Sequence, residues 1–167
     1  MRSVVCVFVA VAAAFAGGEY SNRRAPGFSL QDSHYQQHDP QDFRGKVWIL
    51  DIMTTSCPTC KKLAETLVQI RAKYGDSIGM FSVVTLPDTH DTADKFAAEY
   101  KITWPILFDS GQVIMSYLKI TPSNPQVHFP HLFIVDANGT IRNDFEGSED
   151  KSLTVAGISA EIDKLLK

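Results

Sequence analysis

The sequence predicts an α/β fold in which a central mixed β-sheet is flanked by helices on both sides. In the first half of the chain, apolar runs of strand length alternate with segments of helical periodicity, an order that favours parallel strands joined by helices. In the second half, two apolar runs flank the dipeptide Asn138-Gly139, which indicates an antiparallel hairpin. The 167 residues, 44% of them hydrophobic and 21% charged, are enough to bury one globular core.

Residues 1–16 have the pattern of a secretory signal peptide. Met1-Arg2 gives a short positive start, residues 3–16 are apolar, and Ala14-Phe15-Ala16 is a small-residue cleavage pattern. The apolar run is shorter than the roughly 20 residues that a membrane-spanning helix needs. We therefore expect a signal peptide at 1–16 and export to the periplasm or the cell exterior. The exported part is expected to be one monomeric domain at 17–167, which starts with a short polar lead at 17–25.

The first two predicted strands are almost continuously apolar, and a helix separates them. Residues 47–53 carry a single acid, Asp51, and are typical of a strand buried on both faces. After Cys57, Pro58 suits the first turn of a helix, and Gly75 is expected to end it. Residues 78–85 form the next strand. The apolar side chains of the helix recur at helical spacing, at Leu63, Leu67, Ile70 and Tyr74.

The rest of the chain predicts shorter elements and a closing helix. Asp91 or Thr92 is expected to cap the second helix. Asn138-Gly139 favours a two-residue type I′ turn. The remaining predicted elements are a helix to residue 100, a strand at 106–108, a helix at 111–118, hairpin strands at 131–135 and 140–145, and a helix whose apolar face is Ile158, Ile162, Leu165 and Leu166.

Cys57 and Cys60 lie three positions apart where the apolar strand meets the predicted helix. At this junction the Cys57 sulfur would lie near unpaired backbone N–H groups and the positive end of the helix dipole, which favour the thiolate. The thiolate is the attacking species in disulfide exchange. One helical turn later, Cys60 would be less exposed and close enough to attack a mixed disulfide. The spacing therefore predicts a redox pair, with Cys57 as the nucleophile and Cys60 as the resolving thiol.

Asp51 adds a candidate proton carrier to this pair. A carboxyl group in an apolar strand, six residues before Cys57, would be partly desolvated. Its pKa should therefore rise, and it could pass a proton to or from Cys60.

Other uses of the cysteine pair stay open on the residues alone. A structural zinc site would need more Cys or His ligands, a structural disulfide would close only a short loop, and Cu(I) could be held by both thiols with His131. The formal net charge of −3 gives no footprint for nucleic acid or an anionic membrane.

Four segments resemble the thioredoxin superfamily, and more narrowly its extracytoplasmic TlpA-like and redoxin branch, which is related to the AhpC/TSA proteins. They are APGFSLQD (25–32), RGKVWILDIMTTSCPTCKK (44–62), WPILFD (104–109) and FPHLFIVDANGTI (129–141). The resemblance implies a thioredoxin fold with a redoxin-type insertion at 85–125. It also implies thiol-disulfide exchange with protein substrates, as a reductase that a membrane thiol-disulfide carrier recharges, without a cofactor or a bound metal.

The resemblance also assigns residues to the substrate groove. The family's cis-proline falls on Pro130, which lacks an N–H and so leaves open backbone beside the cysteine pair. Phe129 and His131 on either side of it, with Pro58 and Thr59 between the cysteines, are expected to line the groove. Asp51 matches the buried acid of thioredoxins.

The sequence departs from the family's pattern at two positions. Ser56 stands where the family usually has tryptophan, and Leu63 stands where many TlpA-like reductases have glutamate. This weakens any expectation of a role in cytochrome c maturation.

A thiol peroxidase is the alternative within the same fold. Peroxiredoxins place a proline and a Thr or Ser before the reactive cysteine to hold the peroxide. Thr54 occupies the Thr position here, but Leu50 replaces the proline. A copper-binding or metallochaperone module is the alternative from another class, and it predicts stable metal binding by the reduced thiols.

Overall fold

The computed structural model describes residues 18–147 and 151–167, so the predicted signal peptide at 1–16 lies outside the described residues. The strands of the described part are β1 (Arg23–Arg24), β2 (Leu30–Gln31), β3 (Gln37–His38), β4 (Val47–Ile52), β5 (Ile78–Thr85), β6 (Ile106–Asp109), β7 (His131–Val135) and β8 (Thr140–Glu146). Its α-helices are α1 (Pro58–Tyr74), α2 (His90–Tyr100), α3 (Gln112–Leu118) and α4 (Val155–Leu165). None of the helices within these two ranges has the length and apolar character needed to cross a membrane.

A six-stranded sheet forms the centre of the protein, in the order β1-β8-β7-β4-β5-β6. Strands β4, β5 and β6 are parallel, whereas β7 runs antiparallel to β4 and β8 runs antiparallel to β7 and β1. The predicted mixed sheet is therefore confirmed. Because β4 and β5 are parallel neighbours, their carboxyl ends lie at one edge of the sheet, which is where functional groups gather in α/β proteins.

Both faces of the sheet are covered, which explains why β4 is apolar on both sides. Side chains alternate between the faces along a strand, so each face builds a cluster of its own. The cluster on the face of α1 and α4 includes Val47, Ile49, Leu67 and Ile158. The cluster on the face of α3 includes Trp48, Leu50, Phe81 and Tyr117. Full burial of each such aliphatic side chain contributes about 1.5–3 kcal/mol to the free energy of unfolding.

Helix α1 begins and ends at the predicted residues. Cys57 is its N-cap, and Pro58 occupies the first turn, where a backbone N–H has no partner inside the helix. Gly75 ends the helix with φ at +53°, and its N–H donates to the Arg71 carbonyl. A side chain at this φ would be strained, so glycine fits the position.

Two predicted details of the helices are wrong. Helix α2 is capped by Thr89, because the Thr89 and Thr92 side chains each accept a hydrogen bond from the other residue's backbone N–H. The predicted caps, Asp91 and Thr92, lie inside the helix. Leu166 does not join the apolar face of the closing helix, since it follows the last residue of α4 and is 44% exposed.

Two predicted details of the sheet are also wrong. Inside the expected polar lead, Arg23 and Arg24 form strand β1 against β8. The hairpin turn is longer than type I′, because the Gly139 N–H donates to the Asp136 carbonyl and, of Asn138 and Gly139, only Gly139 has positive φ. The Asp136 carboxylate accepts from the N–H groups of Asn138 and Thr140, both at 2.9 Å, and stabilises this wider turn.

Candidate active site

Cys57 and Cys60 lie where the chain leaves the carboxyl end of β4 and enters α1. Both are free thiols; Cys57 is half-buried and Cys60 is buried. The Cys57 sulfur accepts a hydrogen bond from the Cys60 backbone N–H at 3.3 Å, so it caps an N–H group that the helix leaves without a partner. The Thr59 hydroxyl lies 3.0 Å from the same sulfur. These contacts surround the Cys57 sulfur with donors that bind a thiolate better than a thiol.

The two thiols have opposite pKa shifts. Partial burial acts to raise the pKa of Cys57, but hydrogen bonds from Cys60 and Thr59 outweigh it, and the pKa lies below its ordinary value. Burial and the hydrogen bond to Cys57 raise the pKa of Cys60 well above its ordinary value. The thiolate therefore forms more readily on Cys57 than on Cys60.

Asp51 points from β4 towards α1 and is 1% exposed. The Ser82 hydroxyl donates to it at 3.4 Å and accepts from the Trp104 indole N–H at 2.9 Å. Burial raises the pKa of Asp51 to about 7, against a smaller lowering by the Ser82 bond. The charge of Asp51 also contributes to the raised pKa of Cys60, so the two groups interact across the buried side of the site.

Pro130 follows a cis peptide bond from Phe129, and the Phe129 carbonyl faces the cysteine pair. This carbonyl lies 3.9 Å from the Cys57 sulfur and 3.4 Å from the Thr59 hydroxyl oxygen. Phe129 is half-buried, and Pro58 is exposed at the start of α1. Four of the expected groove residues, Pro58, Thr59, Phe129 and Pro130, are thus brought to the same end of the sheet as the thiols.

His131 is not brought to the cysteine pair. It lies opposite Ile52 in the β4–β7 register, so its side chain points to the face of α3, away from α1. Its ring is buried, stacks on Phe133 and lies with Nε2 3.3 Å from the Asp144 carboxylate. The structure therefore joins His131 neither to the groove nor to a copper ligand set with the two sulfurs.

Asp144 was not singled out from the sequence, and it holds the N-terminal segment. Its carboxylate accepts from the Tyr20 N–H at 3.0 Å and from the Ser21 hydroxyl at 2.7 Å, in addition to its contact with His131. The neighbouring Asn143 accepts from the Gly18 N–H at 3.1 Å. The available signal was an acid in a predicted strand, at a position whose side chain faces the core.

Asp88 is a second residue that the sequence interpretation missed. It is 8% exposed and follows the carboxyl end of β5, beside the loop that carries Cys57. Its carboxylate accepts from the backbone N–H of Thr55 at 3.1 Å and from the hydroxyl of the same residue. Its position at the carboxyl edge of a parallel sheet was the available signal.

No group of three or more His, Cys, Asp or Glu side chains placed to hold a metal ion occurs in the part of the chain that the structure describes.

Solved structures share this fold. A thiol:disulfide interchange protein of the thioredoxin family from Chlorobium tepidum superposes with a TM-score of 0.74 at 16% identity, over 87% of this chain and 97% of that one. A secreted disulfide oxidoreductase of Mycobacterium tuberculosis superposes with a TM-score of 0.65 at 19% identity, over 80% and 95%. The thioredoxin fold predicted from the sequence is confirmed.

Curated relatives are similar over most of the chain. The chain is 24% identical over 136 residues to the thioredoxin-like protein YneN of Bacillus subtilis, which covers 80% of this chain and 76% of that protein. It is 25% identical over 130 residues to the thiol-disulfide oxidoreductase ResA of Bacillus cereus, over 77% and 71%. The family model described as AhpC/TSA matches residues 22–144, which is most of the chain. The chain therefore belongs to the AhpC/TSA family.

Proposed function

We propose that this protein is an extracytoplasmic thiol-disulfide oxidoreductase that reduces disulfides in protein substrates. The observation that carries the proposal is the opposite shift of two thiol pKa values within one helical turn, with Cys57 lowered and Cys60 raised. A dithiol built for exchange needs one sulfur that attacks at neutral pH and a second that stays protonated until it is needed. The relatives named as thiol-disulfide oxidoreductases support the same activity.

The reaction has two exchange steps. The Cys57 thiolate attacks one sulfur of the substrate disulfide, forms a mixed disulfide and releases the first substrate thiolate. Cys60 loses its proton and attacks the Cys57 sulfur, which forms the Cys57–Cys60 disulfide and releases the second substrate thiolate. Two electrons pass from the protein to the substrate, and an external dithiol must return them.

Asp51 serves the second step. With a pKa of about 7, it is partly ionised at neutral pH, so it can accept the proton that Cys60 must lose. The raised pKa of Cys60 makes such a base necessary, because few Cys60 thiolates form unaided at neutral pH.

The substrate polypeptide lies against Pro130 in this proposal. Proline has no backbone N–H, so it leaves the adjoining backbone free for an extended substrate. Phe129, Pro58 and Thr59 border the same position, and Pro58 is open to solvent. We leave His131 out of this groove, since its ring is buried against Asp144.

The location and the electron donor complete the proposal. The leader pattern at 1–16 supports cleavage and export of the domain at 17–167, which we propose acts as a monomer. The similar structure named as a secreted disulfide oxidoreductase agrees with an extracytoplasmic site of action. Outside the cytosol a membrane thiol-disulfide carrier is the donor that would return the electrons.

The test combines a trapped intermediate with a reduction potential. Replacing Cys60 by alanine should leave Cys57 in a stable mixed disulfide with a disulfide-bonded test protein, seen as a covalent adduct by mass spectrometry. Cys57→Ala should form no adduct. Equilibration of the wild-type protein with graded glutathione buffers should give a reduction potential of about −250 mV or lower. A value of about −120 mV would contradict the proposed direction of electron transfer and indicate an oxidase.

The same samples separate the alternatives. A peroxidase would consume hydrogen peroxide faster than it exchanges with disulfides. Thr54 favours that activity, but Leu50, at the position of the expected proline, is buried on the face of α3. Stoichiometric copper that stays with the reduced protein through dialysis would instead indicate a metallochaperone.

A further inference from the structure

Cys57 is presented by a four-residue turn, residues 54–57, which we call the nucleophile turn. The Cys57 N–H donates to the Thr54 carbonyl at 3.3 Å and closes it. Cys57, the last residue of this turn, is the N-cap of α1, and its sulfur accepts from the Cys60 N–H at 3.3 Å. The position of the nucleophile turn therefore sets where the Cys57 sulfur lies relative to Cys60 and to the first turn of α1.

Asp88 holds the centre of the nucleophile turn. Its carboxylate binds Thr55, the second residue of the turn, through both the backbone N–H and the side-chain hydroxyl. These two contacts fix the position and the orientation of that residue, whereas one contact would leave it free to rotate. Ser56, the third residue of the turn, is exposed, so its side chain is not packed in a way that would hold the turn in place.

Asp88 is itself fixed from two sides. Its backbone N–H donates to the Thr85 carbonyl at 3.0 Å, which ties it to the end of β5. The Thr92 hydroxyl, in the first turn of α2, lies 3.1 Å from its carboxylate. The contacts of Asp88 therefore connect the nucleophile turn to the sheet and to the start of the predicted insertion at 85–125.

We propose that Asp88 is a positioning residue for the nucleophile, acting through Thr55 to keep the nucleophile turn in the geometry that stabilises the Cys57 thiolate. The proposal rests on the proposed function and extends it to a residue that touches neither sulfur. It assigns the start of the inserted segment a role in thiol reactivity.

The proposal predicts that removing the Asp88 carboxylate raises the pKa of Cys57. A direct effect of its charge would change that pKa in the opposite direction. A carboxylate near Cys57 would by its charge alone disfavour the thiolate, so removing it would lower the pKa of Cys57. Loss of positioning would weaken the hydrogen bonds that Cys57 accepts and raise that pKa. The sign of the change therefore separates the two explanations.

The experiment measures alkylation of Cys57 by iodoacetamide against pH in the full reduced chain, with the modified peptide identified by mass. Asp88→Ala should raise the apparent pKa of Cys57 and slow alkylation and disulfide exchange at pH 7 on the order of tenfold. Asp88→Asn, which keeps the shape and one acceptor oxygen, should have a smaller effect in the same direction. Thr55→Val, which removes one hydrogen bond, should also shift it this way and covers the case that Asp88→Ala does not fold.

Asp136→Ala is the matched control. Like Asp88, Asp136 is a buried carboxylate that orders a turn, here by accepting from two backbone N–H groups. It follows β7, at the end of that strand opposite to Pro130. The substitution should lower stability while leaving the pH profile of Cys57 alkylation unchanged. The proposal is overturned if folded Asp88→Ala keeps the wild-type profile, or if Asp88→Ala and Asp88→Asn both lower the pKa of Cys57. Alkylation needs no substrate disulfide, so absence of exchange in the wild type would contradict the proposed function without hiding the effect of Asp88.

Discussion

Asp51 and Ser82 face each other across the β4–β5 pair, and the 3.4 Å contact between them gives one carboxyl oxygen of Asp51 its hydrogen bond. The other oxygen has no partner among the residues that the structure describes. A carboxylate in this position lacks the donors that a buried charge needs. The neutral acid is therefore favoured by burial, which is why the pKa of Asp51 rises to about 7.

The first prediction is that Asp51→Asn stabilises the protein at high pH. Unfolding releases Asp51 to its ordinary pKa of 3.8, so the folded state binds the extra proton between pH 4 and 7. The stability of the wild type should therefore fall as pH rises through this window and level off above pH 7. At pH 8 the variant should exceed the wild type by up to about 4 kcal/mol, and at pH 4 the gap should nearly vanish. Urea unfolding of the reduced proteins at pH 4, 6 and 8 measures this difference in the free energy of unfolding. A difference that does not change with pH would show that the raised pKa of Asp51 is not its cause.

The second prediction is that Thr59→Val makes Cys57 a weaker nucleophile at neutral pH. The variant keeps the branched side chain but removes the hydroxyl that lies 3.0 Å from the Cys57 sulfur. The pKa of Cys57 should rise, alkylation at pH 7 should slow roughly threefold, and the reduction potential should become more negative. Thr66→Val is the control, since the Thr66 hydroxyl on the same helix donates only to the Lys62 carbonyl. Equal rates of Cys57 alkylation in the two variants would show that the Thr59 hydroxyl does not stabilise the Cys57 thiolate.

The third prediction is that Asp144→Ala loosens the N-terminal segment. The change removes three hydrogen bonds and leaves the buried His131 without its carboxylate partner. The free energy of unfolding should drop by about 3 kcal/mol. Trypsin should cleave after Arg23 and Arg24 faster than in the wild type. Asp91→Ala, which removes an exposed pair with Lys95 and an acid from the first turn of α2, should change stability by no more than about 1 kcal/mol and leave cleavage unchanged.

The fourth prediction is that Gly79→Ala destabilises the protein, although it adds only one methyl group. A Cβ at this position of β5 would lie 2.2 Å from the ring of Phe43, which packs on Phe81 with centroids 4.5 Å apart. Phe43 would have to move, at a cost of about 1–3 kcal/mol. Thermal unfolding measures the loss. Gly27→Ala is the control, because no atom of the residues that the structure describes lies within 4 Å of the Cβ that it would add.

The elements that the sequence predicted well are those whose pattern has one physical explanation. Strand β5 was predicted to the residue, because residues 78–85 are apolar on both faces and only a central strand buries both. The ends of α1 were equally clear, since Pro58 and Gly75 each favour a single position in a helix. Cys57 and Cys60 followed from this junction.

The residues that sequence reasoning misplaced depend on contacts between distant segments. Strand β7 is buried on both faces, so the alternation of its side chains could not tell which face His131 would take. Asp88 and Thr55 are 33 positions apart and meet only because β4 and β5 are neighbours. Strand β1 has two arginines, a composition that favours a loop until β8 supplies its partner.

The sheet also ends in a way that bears on how the protein behaves at high concentration. At one edge, β1 is only two residues long and both are arginines, which offers a further strand little backbone and a positive charge. At the other edge, an antiparallel bridge between Asp32 and Leu107 covers β6. Open sheet edges are the templates from which aggregates grow. If extended polypeptides meet the thiols, as the proposed function requires, the protein can release them without recruiting them, or other copies of itself, into a growing β-structure.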